Sequence, residues 1–226
     1  MQLVHPNVRV LEANLDQGFP KNAHGEVMCP LNHYLAYQQE DRFVGDGEGQ
    51  SAPLVRIIWR SSQQAGPVTE ADLAVDAALA DLLPAARPDY GWLSEETEDN
   101  TDRLSHERLF IIDPIDGTRS FAEGSATWAH SLAVAERGEV TAAVIFLPQR
   151  HLLYSASKGS GAYCNGTAIT VAPPTALASA KVLTARPNLD AQHWLGGAAP
   201  AFHRSYRPSL AYRLCLVAQG RYGAML

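Results

Sequence analysis

The sequence predicts a mixed α/β fold, and three observations carry that reading. Thr69 and Asp72 form a capping-box pattern just ahead of an apolar run with helical period. Arg108 to Ile112, RLFII, is a short apolar run that stops at Asp-Pro, as a buried strand does. Ala129 to Glu136 and Val140 to Leu147 are strand-like runs joined by Arg137-Gly138-Glu139, a hairpin signal.

Taken in chain order, residues 1–50 show no sustained helical or strand period. Gly45-Asp46-Gly47-Glu48-Gly49 within them reads as loop. Regular structure begins near Pro67. Val75, Leu79, Leu82 and Leu83 share one face of the predicted helix, and Pro84 and Pro88 mark its end. After the hairpin, His151 to Ala156 suits a further strand. Lys158-Gly159-Ser160-Gly161 suits a turn, and Ala168 to Val171 a short strand after Asn165-Gly166. Pro173-Pro174 is a candidate boundary. Beyond it, Lys181 to Thr184 reads as strand and Leu210 to Gln219 as helix, with Gly220 as its C-cap. The chain thus divides into an atypical segment 1–64, an α+β part 65–172 and a partial α/β part 173–226.

The bulk numbers exclude several classes. Of 226 residues, 46% are apolar and 19% charged, as in ordinary globular proteins, and the formal net charge is -6. No basic stripe offers a surface to nucleic acid. No apolar run approaches the roughly 20 residues that span a bilayer. Cys29, Cys164 and Cys215 are odd in number and lack a CxxC pair, which argues against a disulfide framework or zinc ribbon. With no signal-peptide pattern at the N-terminus, the expected compartment is cytoplasmic.

Chemistry concentrates in three acidic clusters: Thr69-Glu70-Ala71-Asp72, Ser94-Glu95-Glu96 and Asp113-Pro114-Ile115-Asp116-Gly117-Thr118. In the last, an apolar strand delivers two carboxylates to the mouth of a sheet. Gly117 permits a tight turn and close backbone approach to a ligand. Backbone N–H groups after such a turn can face a phosphate. Carboxylates held this near one another repel unless a cation lies between them. Mg²⁺, which takes hard oxygen ligands, suits that place. A plain Asp-Pro/Asp-Gly turn is the competing explanation; the buried strand before it and the upstream Glu pair favour the chemical one. Asp72 also stands where a helix N-terminal acid would, and dipole stabilisation accounts for it about equally well. Glu96 is assigned to support or surface, and Glu70 to solvent.

WLSEE (Trp92 to Glu96), DPIDGT (Asp113 to Thr118) and PVTEAD (Pro67 to Asp72) resemble the signature blocks of the inositol monophosphatase family. GxGAYxNG (Gly159 to Gly166) and YRLCLVAQG (Tyr212 to Gly220) are similar to later family text. The resemblance covers roughly residues 65–226. It implies the layered α/β sandwich of the sugar phosphatases. It also implies a Mg²⁺-dependent phosphomonoesterase hydrolysing a small phosphorylated metabolite, such as an inositol monophosphate, by metal-activated water. Bisphosphate nucleotidase and histidinol phosphatase activities belong to the same superfamily. On this resemblance Glu95 is a ligand of the first metal, Asp113 bridges two metals, the Ile115 carbonyl completes the first site and Asp116 binds the second. Backbone N–H groups of Gly117 and Thr118 hold the phosphate. The Thr118 hydroxyl and Asp72 orient the water, with Asp72 as base. Homodimers are frequent in the family; no residue pattern here points to one.

Two departures stand against the family pattern. Members carry a later WDxAA-like block whose aspartate adds a ligand to the second metal. Here the tryptophans are Trp59, Trp92, Trp128 and Trp194, none followed by Asp, and Asp190 is the last acidic residue. The expectation is a fold truncated at the C-terminus and a second metal site short of one ligand. A metal-binding remnant without turnover is therefore the alternative of another class. Members also open with two long helices; residues 1–64 lack that pattern, and Leu54 to Gln64 is the stretch left as a helical remnant. Arg207-Pro208-Ser209-Leu210-Ala211 matches the stretch that reads the substrate's organic part and departs from the commonest pattern at Pro208, which leaves the substrate open. A haloacid dehalogenase type of phosphatase is disfavoured by spacing: its two aspartates are separated by one residue, Asp113 and Asp116 by two.

Overall fold

The structure, a computed structural model, describes residues 57–59 and 67–226. Residues 1–56 and the expected loop at 45–49 lie outside it. Ile57–Trp59, expected within a helical remnant, is strand β1 and pairs antiparallel with β2, Pro67–Thr69. Ile57 and Ile58 are β-branched, which favours a strand over a helix. The rest of 54–64 lies outside the described residues.

Helix α1, Glu70–Ala86, starts at the predicted capping box. Thr69, in extended conformation, accepts from the Asp72 N–H at 3.3 Å, and Asp72 accepts from the Thr69 N–H at 2.9 Å. Glu70 and Asp72 place negative charge in the first turn, where the helix dipole favours it. Val75, Leu79 and Leu83 are buried on one stripe. Leu82 is only half-buried, because it falls to the side of that stripe. The helix runs two residues past Pro84. A proline this near the end forfeits one backbone bond but leaves few turns beyond it to disrupt. The Arg87 N–H closes the helix on the Leu83 carbonyl at 2.9 Å.

Among the described residues the main sheet has seven strands, in the order β3-β4-β5-β6-β7-β8-β9. These are Gly91–Ser94, Arg108–Asp116, Ala129–Glu136, Glu139–Leu147, Leu152–Ser157, Gly161–Cys164 and Thr167–Ala168. From β4 onward each strand pairs antiparallel with the next. β3 alone is parallel, laid along β4 with Ser94 beside Ile112. The β5–β6 hairpin turns at Arg137 (φ 51°) and Gly138 (φ 84°), the left-handed pair a two-residue hairpin needs. Asn165 (φ 48°) and Gly166 (φ 76°) do the same between β8 and β9. β9 ends at Ala168, three residues short of the expected strand end. Short helix α2 covers Thr118–Ala122.

Alternation along the strands builds two cores on opposite faces. Phe110, Ile112, Val134, Phe146 and Leu153 face α1, meeting Val75, Leu79 and Leu83. Ala129, Leu147 and Tyr154 face the other way, toward Leu183 and toward Tyr212, Cys215 and Leu216 of helix α3, Leu210–Ala218. Leu183 belongs to β10, Lys181–Leu183, the centre of a three-stranded parallel sheet with β11, His203–Ser205, and β12, Ala224–Met225. A helix, the long sheet, and a second helix with its own sheet are therefore stacked in layers. Among the described residues no helix is long and apolar enough to cross a membrane.

Two substitutions test this packing. Leu79 is 1% exposed, and Leu79→Ala is expected to lower urea-unfolding stability by about 2–5 kcal/mol. Gly220 ends α3 at φ +73°, and a Cβ there would lie 2.8 Å from the Thr170 carbonyl oxygen and 3.0 Å from the Ala172 nitrogen. Gly220→Ala is expected to cost about 1–3 kcal/mol in the same assay, since both obstacles are backbone atoms.

Candidate active site

Parallel pairing of β3 with β4 decides where the acids meet. Ser94 lies beside Ile112, so the chain after each residue emerges at the same sheet edge. The Glu95 N–H donates to the Ile112 carbonyl at 3.0 Å, and the Glu95 and Asp113 side chains share a hydrogen bond. Asp113 is partly buried. Burial, then the charges of Glu95, Asp116 and Asp72, push its carboxyl up to about 8. Two acids that bond each other at one edge do so by sharing a proton, the arrangement a cation would replace.

Asp72 comes to the same edge from the first turn of α1, 1% exposed. Besides its capping bonds it accepts from the Thr69 hydroxyl, and its Oδ1 accepts from Thr118 Oγ1 at 3.1 Å. Burial raises its pKa, against the lowering effect of these bonds. The capping explanation and the chemical one thus hold together: one oxygen caps α1 and the other faces Thr118. Thr118 Oγ1 is also 3.0 Å from the Ile115 carbonyl. Gly117 precedes α2 in the left-handed region, φ 95° and ψ 38°, and no side chain caps that helix.

Asp116 points elsewhere. Its Oδ2 accepts from the Ser209 hydroxyl at 2.5 Å and from the Ala211 N–H at 2.7 Å, and its Oδ1 from the Leu210 N–H at 3.2 Å. A carboxylate at a helix N-terminus satisfies orphan donors and meets the positive end of the dipole. Ser209 itself accepts from the Tyr212 N–H at 2.9 Å, so it caps α3 and donates to Asp116 together. As the side chains stand, no group of three His, Cys, Asp or Glu residues among the described ones is arranged to hold a metal ion. The donor set nonetheless fits a hard cation in kind: carboxylates, one backbone carbonyl, and an acid whose pKa is raised by burial and then by its neighbours' charge.

The sequence reading named Asp72, Glu95, Asp113, Ile115, Asp116, Gly117 and Thr118, and all lie on the chain segments that meet at this edge. It missed the residues that hold them. Asp76, one turn along α1, accepts from the hydroxyls of Ser94 and Thr97, the latter at 2.6 Å, and so brackets Glu95-Glu96 from both sides. Ser209 lies in the stretch that the resemblance places near the substrate, and its hydroxyl donates to Asp116. His130, on β5, places Nδ1 2.5 Å from the Pro114 carbonyl oxygen, and burial pushes its imidazole down to about 4. Nothing in the sequence singled out His130, since β5, AHSLAVAE, also carries the polar Ser131 and Glu136.

The sequence profile of the inositol monophosphatase family matches residues 35–226. An inositol-1-monophosphatase of Rhizobium meliloti (strain 1021) is 37% identical over 122 residues, 54% of this chain and 46% of that protein. A histidinol-phosphatase of Chlorobaculum parvum is 38% identical over 105 residues, 46% of this chain and 40% of that protein. The chain thus spans about half the length of the relatives it matches, or less. The solved structure of an IMPase/NADP phosphatase complexed with Mg²⁺ and phosphate superposes with a TM-score of 0.70 at 21% identity, covering 86% of this chain and 70% of that one. The layered fold is therefore that of the sugar phosphatases, and with a profile match over most of its length the chain belongs to the inositol monophosphatase family.

Proposed function

We propose that the protein is a Mg²⁺-dependent phosphomonoesterase acting on a small phosphorylated metabolite of the inositol monophosphate kind. The observation that carries this is the meeting of Glu95 and Asp113 at one sheet edge with the Asp72–Thr118 pair beside them. The Mg²⁺ and phosphate of the IMPase/NADP phosphatase complex support the choice of ion. Glu95, Asp113, the Ile115 carbonyl and Asp116 are the residues that would hold it. Held by those residues, Mg²⁺ would supply Lewis-acid chemistry, activating a water and offsetting charge on the phosphate.

The chain's own groups divide the remaining work. Gly117 and Thr118 offer backbone N–H groups to the phosphate at the uncapped start of α2. Thr118 Oγ1 donates to Asp72 and keeps lone pairs with which to accept from the attacking water. Asp72 takes the proton through that hydroxyl, and its burial makes it a better base than an exposed aspartate. The substrate's organic part would lie toward the α3 N-terminus, with the site between an α+β part, 65–172, and a shorter α/β part, 173–226.

A second reading, cation binding without turnover, is favoured by one observation: Asp116 spends both oxygens on α3. Phosphate release separates the two. The assay uses inositol 1-phosphate, adenosine 3′,5′-bisphosphate, fructose 1,6-bisphosphate and histidinol phosphate, with and without Mg²⁺. Mg²⁺-dependent release is expected, lost in Glu95→Gln and Asp113→Asn. Asp72→Asn is expected to lower kcat by about 10²- to 10⁴-fold. Folded protein that binds Mg²⁺ and releases no phosphate from any of the four supports the second reading.

Stability against pH gives an independent check. Asp113 has a folded-state pKa near 8 against 3.8 for the unperturbed group. Its contribution to the metal-free fold is thus complete below the unperturbed value and lost as pH rises through about 8. With chelator present, Tm is expected to fall between pH 6 and 9, and added Mg²⁺ to raise it most at the upper end. A Mg²⁺ effect independent of pH would contradict the proton–cation exchange.

A further inference from the structure

β4 and β5 pair in regular antiparallel register from Arg108 beside Glu136 to Asp113 beside Ser131. The next pair is Asp116 beside Ala129. Two residues of β4, Pro114 and Ile115, therefore stand opposite one residue of β5, His130. That is a β-bulge, a device that re-aims side chains and interrupts the ladder. It lies between the two aspartates and contains the Ile115 carbonyl.

His130 fills this break. It is 2% exposed, and its Nδ1 lies 2.5 Å from the Pro114 carbonyl oxygen. A carbonyl only accepts, so Nδ1 carries the hydrogen. Nε2 is buried and has no hydrogen-bond partner among the described residues. The ring meets Trp128 edge-on at 5.2 Å and stacks on Phe146 at 6.2 Å. An apolar residue would pack between those aromatics without leaving a nitrogen orphaned. An unsatisfied buried nitrogen calls for a compensating role, and the Nδ1 bond supplies one.

We propose that His130 is a positioning residue of the active site: by donating from Nδ1 to the Pro114 carbonyl it locks the bulge that sets Asp113, Ile115 and Asp116 relative to one another. The inference rests on the cation-binding reading above for its consequence, though not for its geometry. The imidazole acts through the Pro114 carbonyl of the backbone rather than on substrate or a carboxylate.

The test compares wild type, His130→Asn and His130→Gln as full-length chains. An Asn amide reaches the place of Nδ1, whereas a Gln amide reaches that of Nε2. Amide hydrogen exchange is followed in metal-free protein, and Mg²⁺ affinity by calorimetry. His130→Asn is expected to exchange like wild type over residues 113–118. His130→Gln is expected to exchange about fivefold faster or more there, with β6 and β7 unchanged. Mg²⁺ affinity is expected to weaken by about 10- to 100-fold in His130→Gln and to hold in His130→Asn. Nitrogen-15 shifts of wild type should report the tautomer with hydrogen on Nδ1. Equal behaviour of the two variants, faster exchange spread over the whole sheet, or hydrogen on Nε2 would overturn the proposal, since simple core filling predicts the first two. Wild type that binds no divalent cation sinks the phosphatase reading alone, and the exchange data still decide the bulge.

Discussion

Repulsion among carboxylates gathered at one sheet edge is the constraint around which this protein is organised. Glu95, Asp116 and Asp72 each raise the proton affinity of Asp113, after burial has already done so. Such a cluster is unfavourable for folding and useful for holding a hard cation. Its neighbours are arranged to offset the cost. Thr69 and Thr118 donate to Asp72, Ser209 and two backbone N–H groups of α3 to Asp116, and Glu95 shares a hydrogen with Asp113.

The layers make that arrangement rigid. α1 presses one face of the long sheet through Val75, Leu79 and Leu83, and in the same stretch presents Asp72 and Asp76 to the edge. α3 packs on the opposite face through Tyr212, Cys215 and Leu216 while aiming its N-terminus at Asp116. Each helix thus places a buried apolar stripe and a polar end with one rigid body. Displacement of either helix in the core would shift a hydrogen-bond partner of Asp72 or Asp116.

Asp116 joins the two parts of the chain electrostatically. Its bonds to Ser209, Leu210 and Ala211 cross more than ninety residues of sequence. A cation bound at the edge would have to compete with the α3 N-terminus for those oxygens.

The sequence by itself determined the local features. Thr69-x-x-Asp72 predicts the helix start, because capping is settled within four residues. Arg137-Gly138 and Asn165-Gly166 supply left-handed turns, because backbone sterics at those residues decide them. Asp113 to Thr118 and Ser94-Glu95-Glu96 are written in the sequence as the acidic segments that meet at the edge. Only the tertiary structure decided which strand accompanies β4, since a four-residue parallel strand such as β3 has no local signal and its pairing is set by distant packing. It alone placed Asp76 against Ser94, Ser209 against Asp116, and His130 in the bulge at Pro114. Those partners stand far apart in the chain, and hydrogen bonds between them exist only once the hydrophobic layers have brought them together.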